Sequence, residues 1–214
     1  MECVIKYVAI EGIEGSGKTE LCKEIEHFVN TEYDTVKTIY IKEPQPEGLG
    51  MYIRKAIIEY GRDKIDPMAQ LFLFMALRRH NRDICAYRIK EIMEYDKNVK
   101  NIIVLLDRFI SSTLVYQGII GGIEQHLIMT LNSMAWDLLP EFTVLLDKYP
   151  EETIDRVKNR NEKRDNYAID YEYLLKAKNA FKLINNKLSG IKMVFTSTDT
   201  IVIKNIVDEI IKVG

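Results

Sequence analysis

The segment Gly12-Ile13-Glu14-Gly15-Ser16-Gly17-Lys18-Thr19 restricts the fold more than any other part of this chain. It matches the pattern G-x-x-x-x-G-K-S/T in full, and it sits between an apolar run over residues 4–10 and a helix-period run over residues 18–29. Glycines at these positions let the backbone curl so that successive N–H groups converge on an anion. The helix behind them contributes the positive end of its dipole. In such a loop Gly12, Glu14, Gly15, Ser16 and Gly17 surround a polyphosphate, Lys18 reaches the β- and γ-phosphates, and the Thr19 hydroxyl suits Mg²⁺. A strand, a phosphate-binding loop and a helix in that order are expected, with a nucleotide polyphosphate as the occupant.

The rest of the chain repeats the alternation. Short apolar runs at residues 36–41, 102–106, 142–146 and 193–196 read as strands, and the continuously apolar ones suit strands buried on both faces. Helical periodicity covers residues 66–95, 122–138, 151–160, 170–188 and 199–211. Strands separated by helices predict right-handed crossovers and an α/β fold. The expected architecture is a three-layer α/β/α sandwich with a five-stranded parallel sheet, in one domain over residues 1–214. Ligands in such sheets bind at the carboxyl ends of the strands. The phosphate loop, Glu43-Pro44 and Asp107-Arg108 all fall there.

Three further segments carry chemistry. Asp107 closes a buried strand, where an acid commonly helps hold Mg²⁺, and Arg108 follows it into the same cleft; the alternatives are a helix cap and a surface charge. Phe74 and Arg78 stand four residues apart and share one helix face. An aromatic ring beside a guanidinium can stack on and hydrogen-bond a nucleobase, although a core Phe with a solvated Arg fits this segment alone better. Arg156, Arg160, Lys163 and Arg164 form a basic cluster running into the polar stretch Asp165-Asn166-Tyr167. A short basic lid over about residues 156–170 is expected to close over phosphates.

Bulk properties exclude several classes. The net charge of −2 provides no basic field for nucleic acid or an anionic membrane. Cys3, Cys22 and Cys85 are three in number and far apart, which argues for a reducing compartment and against a disulfide framework. No apolar run approaches the roughly 18–20 residues of a membrane span. The chain opens on a strand-like run, so no signal peptide is expected and the cytoplasm is the anticipated location.

Taken together, the segments resemble the thymidylate kinases, P-loop enzymes that pass the γ-phosphate of ATP to dTMP. Residues 7–19 resemble that family's opening strand and loop. Glu43-Pro44, Leu49-Gly50 and Ile53-Arg54 resemble its E-P-G-G-T…L-G…I-R segment, and residues 73–78 its L-F-x-A-x-R helix. Residues 107–118 are very close to D-R-Y/F-x-x-S-x-x-A-Y-Q-G, and residues 139–156 resemble P-D-L-T-x-x-L-D…P-E…R.

The resemblance implies roles. Lys18 and Thr19 would serve ATP and Mg²⁺, with Asp107 also on the metal. Glu14 would approach the acceptor and Arg108 would hold its phosphate. Phe74 would stack on thymine, Arg78 would read its edge, and Thr113 and Gln117 would contact the base. Tyr116 would crowd out a ribose 2′-hydroxyl, and Glu43, Pro44 and Ser112 complete the acceptor side. Glu14 in the loop, with Arg160, Lys163 and Arg164 in the lid, resembles the members whose catalytic arginine comes from the lid. The resemblance also implies a homodimer packed through helices beside the acceptor, with Met68, Leu71 and Met75 as candidate contacts that core packing explains equally well.

Gln45-Pro46-Glu47 replaces the Gly-Gly-Thr of the family's loop, and Lys42 stands where Arg is usual. One alternative reading is a nucleoside monophosphate kinase of broader pyrimidine range, because thymine and uracil differ by a methyl worth only about 1–3 kcal/mol. Another is a non-catalytic P-loop nucleotide-binding module. A GTPase switch is disfavoured by the lack of an N-K-x-D motif.

Overall fold

The structure, a computed structural model, describes residues 3–60, 64–159, 166–197 and 199–212. Five parallel strands form one sheet: β1 (Val4–Gly12), β2 (Val36–Lys42), β3 (Asn101–Asp107), β4 (Phe142–Leu146) and β5 (Ile191–Phe195). Their order is β2-β3-β1-β4-β5. The chain therefore moves to one side of β1 for its second and third strands and to the other side for its fourth and fifth. That reversal opens a crevice at the carboxyl end of β1, where open α/β sheets bind ligands. The register aligns the relevant ends: Ile10 and Lys42 both pair with Asp107, and Gly12 pairs with Leu146.

Eight α-helices are described: α1 (Lys18–Glu32), α2 (Gly48–Tyr60), α3 (Pro67–Tyr95), α4 (Ile110–Thr113), α5 (Gln125–Ala135), α6 (Pro150–Lys158), α7 (Tyr171–Asn185) and α8 (Thr200–Lys212). They cover the sheet on both sides. One core joins Leu71 and Met75 of α3, Ile110 of α4, Ile128 of α5 and Phe181 of α7 to Ala9, Val104 and Leu106. The opposite core joins Leu21 and Ile25 of α1 and Ile206 and Ile210 of α8 to Val8, Ile103 and Val144. All residues of β4 and all but the first of β3 are buried, as their unbroken apolar sequence requires.

Local chemistry sets the helix ends. Asp66 accepts from the N–H groups of Met68 and Ala69 and precedes Pro67, a strong start signal for α3. Asp170 accepts from Tyr173 N–H and starts α7. The expected five-stranded parallel α/β/α fold is the one observed. Its details differ in two places. The helical period expected over 122–138 is α5 alone, and ahead of it α4 runs into a wide-wound π turn over Leu114–Ile120. Helix α2 lay outside the periodic segments read from the sequence. In α3, Leu71 and Met75 are core residues and so are not surface contacts; Phe72 is the large apolar side chain exposed nearby. Arg160, Lys163 and Arg164 lie outside the described residues. Among the described residues, no helix is long and apolar enough to cross a membrane.

Candidate active site

The phosphate loop leaves β1 at Gly12 and enters α1 at Lys18. Gly15 has φ +76°, and a Cβ there would stand 2.7 Å from the Thr153 carbonyl oxygen and 2.8 Å from Val157 Cγ2. The loop is therefore wrapped tightly by α6, and Gly15 is required both by its backbone angle and by this approach. Gly17 precedes α1 in the left-handed region without a side-chain cap, so the helix begins open toward the loop. Arg156 of α6 reaches over the loop: its guanidinium is 3.5 Å from the Gly15 carbonyl oxygen and would lie 3.2 Å from a Cβ on Gly17.

Lys18 is buried and curls back over the loop. Its Nζ donates to the Gly12 carbonyl at 3.1 Å, the Ile13 carbonyl at 2.7 Å and Ser16 Oγ at 3.3 Å. Burial, reinforced by the neighbouring Arg108 charge, lowers its pKa to about 8, against the pull of Glu14, Asp107 and Glu11.

Asp107 ends β3, 1% exposed. One carboxylate oxygen, Oδ2, accepts from the Thr19 hydroxyl at 2.6 Å and from the Tyr40 hydroxyl at 2.9 Å. Its carboxylate therefore serves the loop rather than capping the next helix. Lys42 Nζ donates to Thr19 Oγ1 at 3.1 Å and lies 3.9 Å from Asp107 Oδ2. A hydroxyl and a carboxylate oxygen converging beside the loop, with an ammonium group drawn to the same pair, are hard donors that fit Mg²⁺. That ion usually takes one or two protein oxygens and completes its shell with water and phosphate. Among the described residues no group of three or more His, Cys, Asp or Glu forms a metal cage.

Arg108 has φ 71°, a left-handed conformation rare for a non-glycine residue. That turn aims its side chain back at the loop. Nη1 donates to the Gly12 carbonyl at 3.2 Å and Ser112 Oγ at 3.3 Å, and Nη2 to Glu14 at 2.7 Å. The guanidinium also lies 5.7 Å from the Tyr116 ring centroid. Burial works against its charge, but Tyr116, Glu14, Asp107 and Glu11 outweigh that and raise its pKa above the usual arginine value.

The far half of the cleft is aromatic and amide-lined. Arg78 is 1% exposed and fully engaged along one edge. Nη2 donates to Glu43 at 2.7 Å and Thr113 at 3.1 Å, Nε to Glu43 at 3.2 Å, and Nη1 to Asn132 at 3.0 Å. The guanidinium packs over Phe109. Gln117, on the π turn, donates to Gln70, which is itself held by the Ile65 carbonyl. Tyr116 stacks parallel to Tyr173 at 6.2 Å, and Phe74 and Pro44 also line the cleft. The resulting cleft of about 360 Å³ runs continuously from Gly15 and Lys18 to Phe74 and Gln117, large enough for a small organic ligand.

The structure thus brings together Gly12, Glu14, Gly15, Ser16, Gly17, Lys18, Thr19, Glu43, Pro44, Phe74, Arg78, Asp107, Arg108, Ser112, Thr113, Tyr116 and Gln117. Several side chains were not singled out from the sequence. Glu11, fully buried, accepts from the Phe109 and Ser112 N–H groups and from the Ser112 hydroxyl at 2.6 Å, which fixes the segment after Arg108. Burial raises its pKa against those hydrogen bonds. An acid ending an otherwise apolar strand was the available signal. Tyr40, Gln70 and Tyr173 had none, since the cleft residues they meet, Asp107, Gln117 and Tyr116, lie far away in sequence.

A phosphate loop at the switch point of a parallel sheet, with the half-buried Arg108 between it and an aromatic pocket, defines a phosphotransferase of the P-loop class. The thymidylate kinase family model matches residues 10–210, and the chain belongs to that family. Thymidylate kinase of Clostridium novyi (strain NT) is 30% identical over 193 residues, covering 88% of this chain and 89% of its own. Thymidylate kinase of Buchnera aphidicola subsp. Baizongia pistaciae is 34% identical over 161 residues, covering 73% of this chain and 71% of its own. The crystal structure of thymidylate kinase from Ehrlichia chaffeensis matches with a TM-score of 0.69 at 25% identity, over 95% of this chain and 99% of that one.

Proposed function

We propose that this protein transfers the γ-phosphoryl group of ATP to dTMP, giving dTDP and ADP. The observation that carries this reading is the single cleft joining Lys18 and Arg108 at one end to Phe74, Arg78 and Gln117 at the other. A donor triphosphate on the loop and a pyrimidine monophosphate in the aromatic half would meet at Arg108.

The acceptor is a phosphate monoester with a second pKa of about 6, already mostly a dianion at neutral pH. A strong general base is therefore unnecessary; the difficulty is to bring two polyanions into contact. Lys18 would follow the β- and γ-phosphates and Arg108 the acceptor phosphate, each offsetting repulsion and stabilising charge on the transferring group. An acceptor phosphate arriving at Arg108 competes with the Glu14 carboxylate for the same guanidinium, so Glu14 would tune how firmly the acceptor is held. Thr19 and Asp107 would hold Mg²⁺, which supplies charge neutralisation on the donor phosphates. Phe74 would stack on the base, while Thr113, Gln117 and Arg78 would face its polar edge. Ser112, Glu43 and Pro44 would shape the acceptor side, and Tyr116 would press on the sugar. Arg160 and Arg164 are proposed from the sequence as lid cations. A homodimeric, cytoplasmic enzyme organised as one domain accompanies this reading.

The test is to incubate the protein with ATP, Mg²⁺ and each nucleoside monophosphate in turn, following ADP release. Strong preference for dTMP is expected. Turnover spread evenly over pyrimidine monophosphates would favour the broader kinase, and nucleotide binding without acceptor-dependent turnover would favour the non-catalytic module.

A further inference from the structure

The loop after Glu43-Pro44 departs from its family's pattern, and the function above leaves Gln45 without a task. Its side chain does not line the cleft, yet it is wired to it. Gln45 Nε2 donates to Asn81 Oδ1. Asn81, 0% exposed, donates through Nδ2 to Glu43 Oε1 at 3.2 Å. Glu43, 4% exposed, accepts the Nη2 and Nε hydrogens of Arg78.

The direction of this chain is forced. A carboxylate such as Glu43 only accepts, so Asn81 must turn its NH₂ group toward it. The Asn81 carbonyl then faces the other way, buried, and requires a donor. Gln45 supplies that donor; a carboxylate of the same size would not. The backbone of Gln45 is fixed as well. A Cβ on Gly50, in the first turn of α2, would stand 2.4 Å from Gln45 N and 2.9 Å from its Cα, so α2 seats directly on this residue.

Arg78 has five N–H hydrogens. Glu43, Thr113 and Asn132 take four of them. Arg78 also lines the cleft, so these contacts fix the edge that its guanidinium presents to an acceptor. We propose that Gln45 is a positioning residue for acceptor recognition, acting through Asn81 and Glu43 to hold the orientation of Arg78. The proposal rests on the acceptor reading given above.

The test compares the wild type with Gln45→Glu, Gln45→Ala, Asn81→Ala and the Gln45→Glu/Asn81→Ala double variant. Turnover is followed separately against dTMP and against ATP, with thermal melting as a check on folding. Gln45→Glu and Gln45→Ala should each raise KM for dTMP about tenfold, the scale of a lost buried hydrogen bond. The kcat and the KM for ATP should stay within about twofold, which a general loss of structure would not produce. In the Asn81→Ala background, Gln45→Glu should add no further increase, since the link between them is already cut. Unchanged KM for dTMP in both single variants, or a full additional increase in the double variant, overturns the relay. Failure of the wild type to turn over dTMP would remove the acceptor reading and the relay with it, and is distinguished because it appears before any variant is made.

Discussion

Arg108 combines an uncommon backbone angle with three hydrogen-bond acceptors, and each has a consequence. A left-handed residue is retained in this region only where its surroundings over-determine it. Here the surroundings are the Gly12 carbonyl, Ser112 and Glu14. A lysine keeps the charge but not the planar fork that satisfies the three at once. Arg108→Lys is therefore expected to lower kcat by about 10²-fold, the scale of one misplaced electrostatic contact in a transition state, with a smaller change in KM for ATP; single-turnover phosphoryl transfer measures it. Phe74 makes a different kind of contribution. Loss of one aromatic face under a base costs about 1–3 kcal/mol, so Phe74→Ala should weaken dTMP binding roughly tenfold or more while leaving ATP binding intact. Calorimetric titration with dTMP reads this directly, and wild-type affinity would remove Phe74 from the base site.

The phosphate loop works because elements on both sides of it are packed without slack. Gly15 is the point of closest approach between the loop and α6. An added methyl there collides with the Thr153 carbonyl and Val157, and the backbone angle is itself strained for alanine. Gly15→Ala should cost about 1–3 kcal/mol of stability and most of the activity, because α6 carries Arg156 away from the loop as it yields; urea unfolding and turnover together check this. The same contacts explain what the sequence disclosed. Loop glycines are dictated by backbone angles and anion chemistry, so the residue types announce the structure. Strand cores at β3 and β4 are legible because burial on both faces leaves no alternative to apolar side chains. The π turn over Leu114–Ile120 was not legible: Val115, Gly118, Ile119 and Ile120 are among its seven residues, a composition that does not announce a helix. Helix α2 was hidden by Gly48 and Gly50, although Ile53 and Ile57, four apart, carried its buried face. Tyr40 and Asp107 are 67 positions apart, and Glu11 and Ser112 are 101 apart. No local pattern reports such pairs.

The sheet and its outer layer are tied together at the end that carries the cleft. Asp147 directly follows β4, and its N–H donates to the Phe195 carbonyl at the end of β5. Its carboxylate pairs with Lys178, nearly buried on α7, and with Lys182 at 2.9 Å. Lys178 also lies 4.2 Å from the Tyr149 ring centroid, beside the start of α6. One carboxylate thus links β4, β5 and α7, while α7 carries Tyr173 and Leu174 to the wall of the cleft. Partial burial alone would raise the Asp147 pKa, but the two lysines outweigh it and hold the carboxyl below its ordinary value. In the unfolded chain the group titrates near 3.9. Between the two values the unfolded chain binds more protons, so stability rises with pH there. The contribution is complete above the unfolded value and is lost as pH falls through the lower, folded one. With Lys182 half exposed and its share discounted for screening, hydrogen bonding of the charged pair is worth about 1–3 kcal/mol. Asp147→Asn should therefore be less stable than wild type by a constant amount between about pH 5 and 7, with the gap closing below about pH 4. Chemical unfolding of both proteins across that range measures it. A gap that persists unchanged into acid would assign the loss to packing around residue 147 rather than to the ion pair that joins the layers.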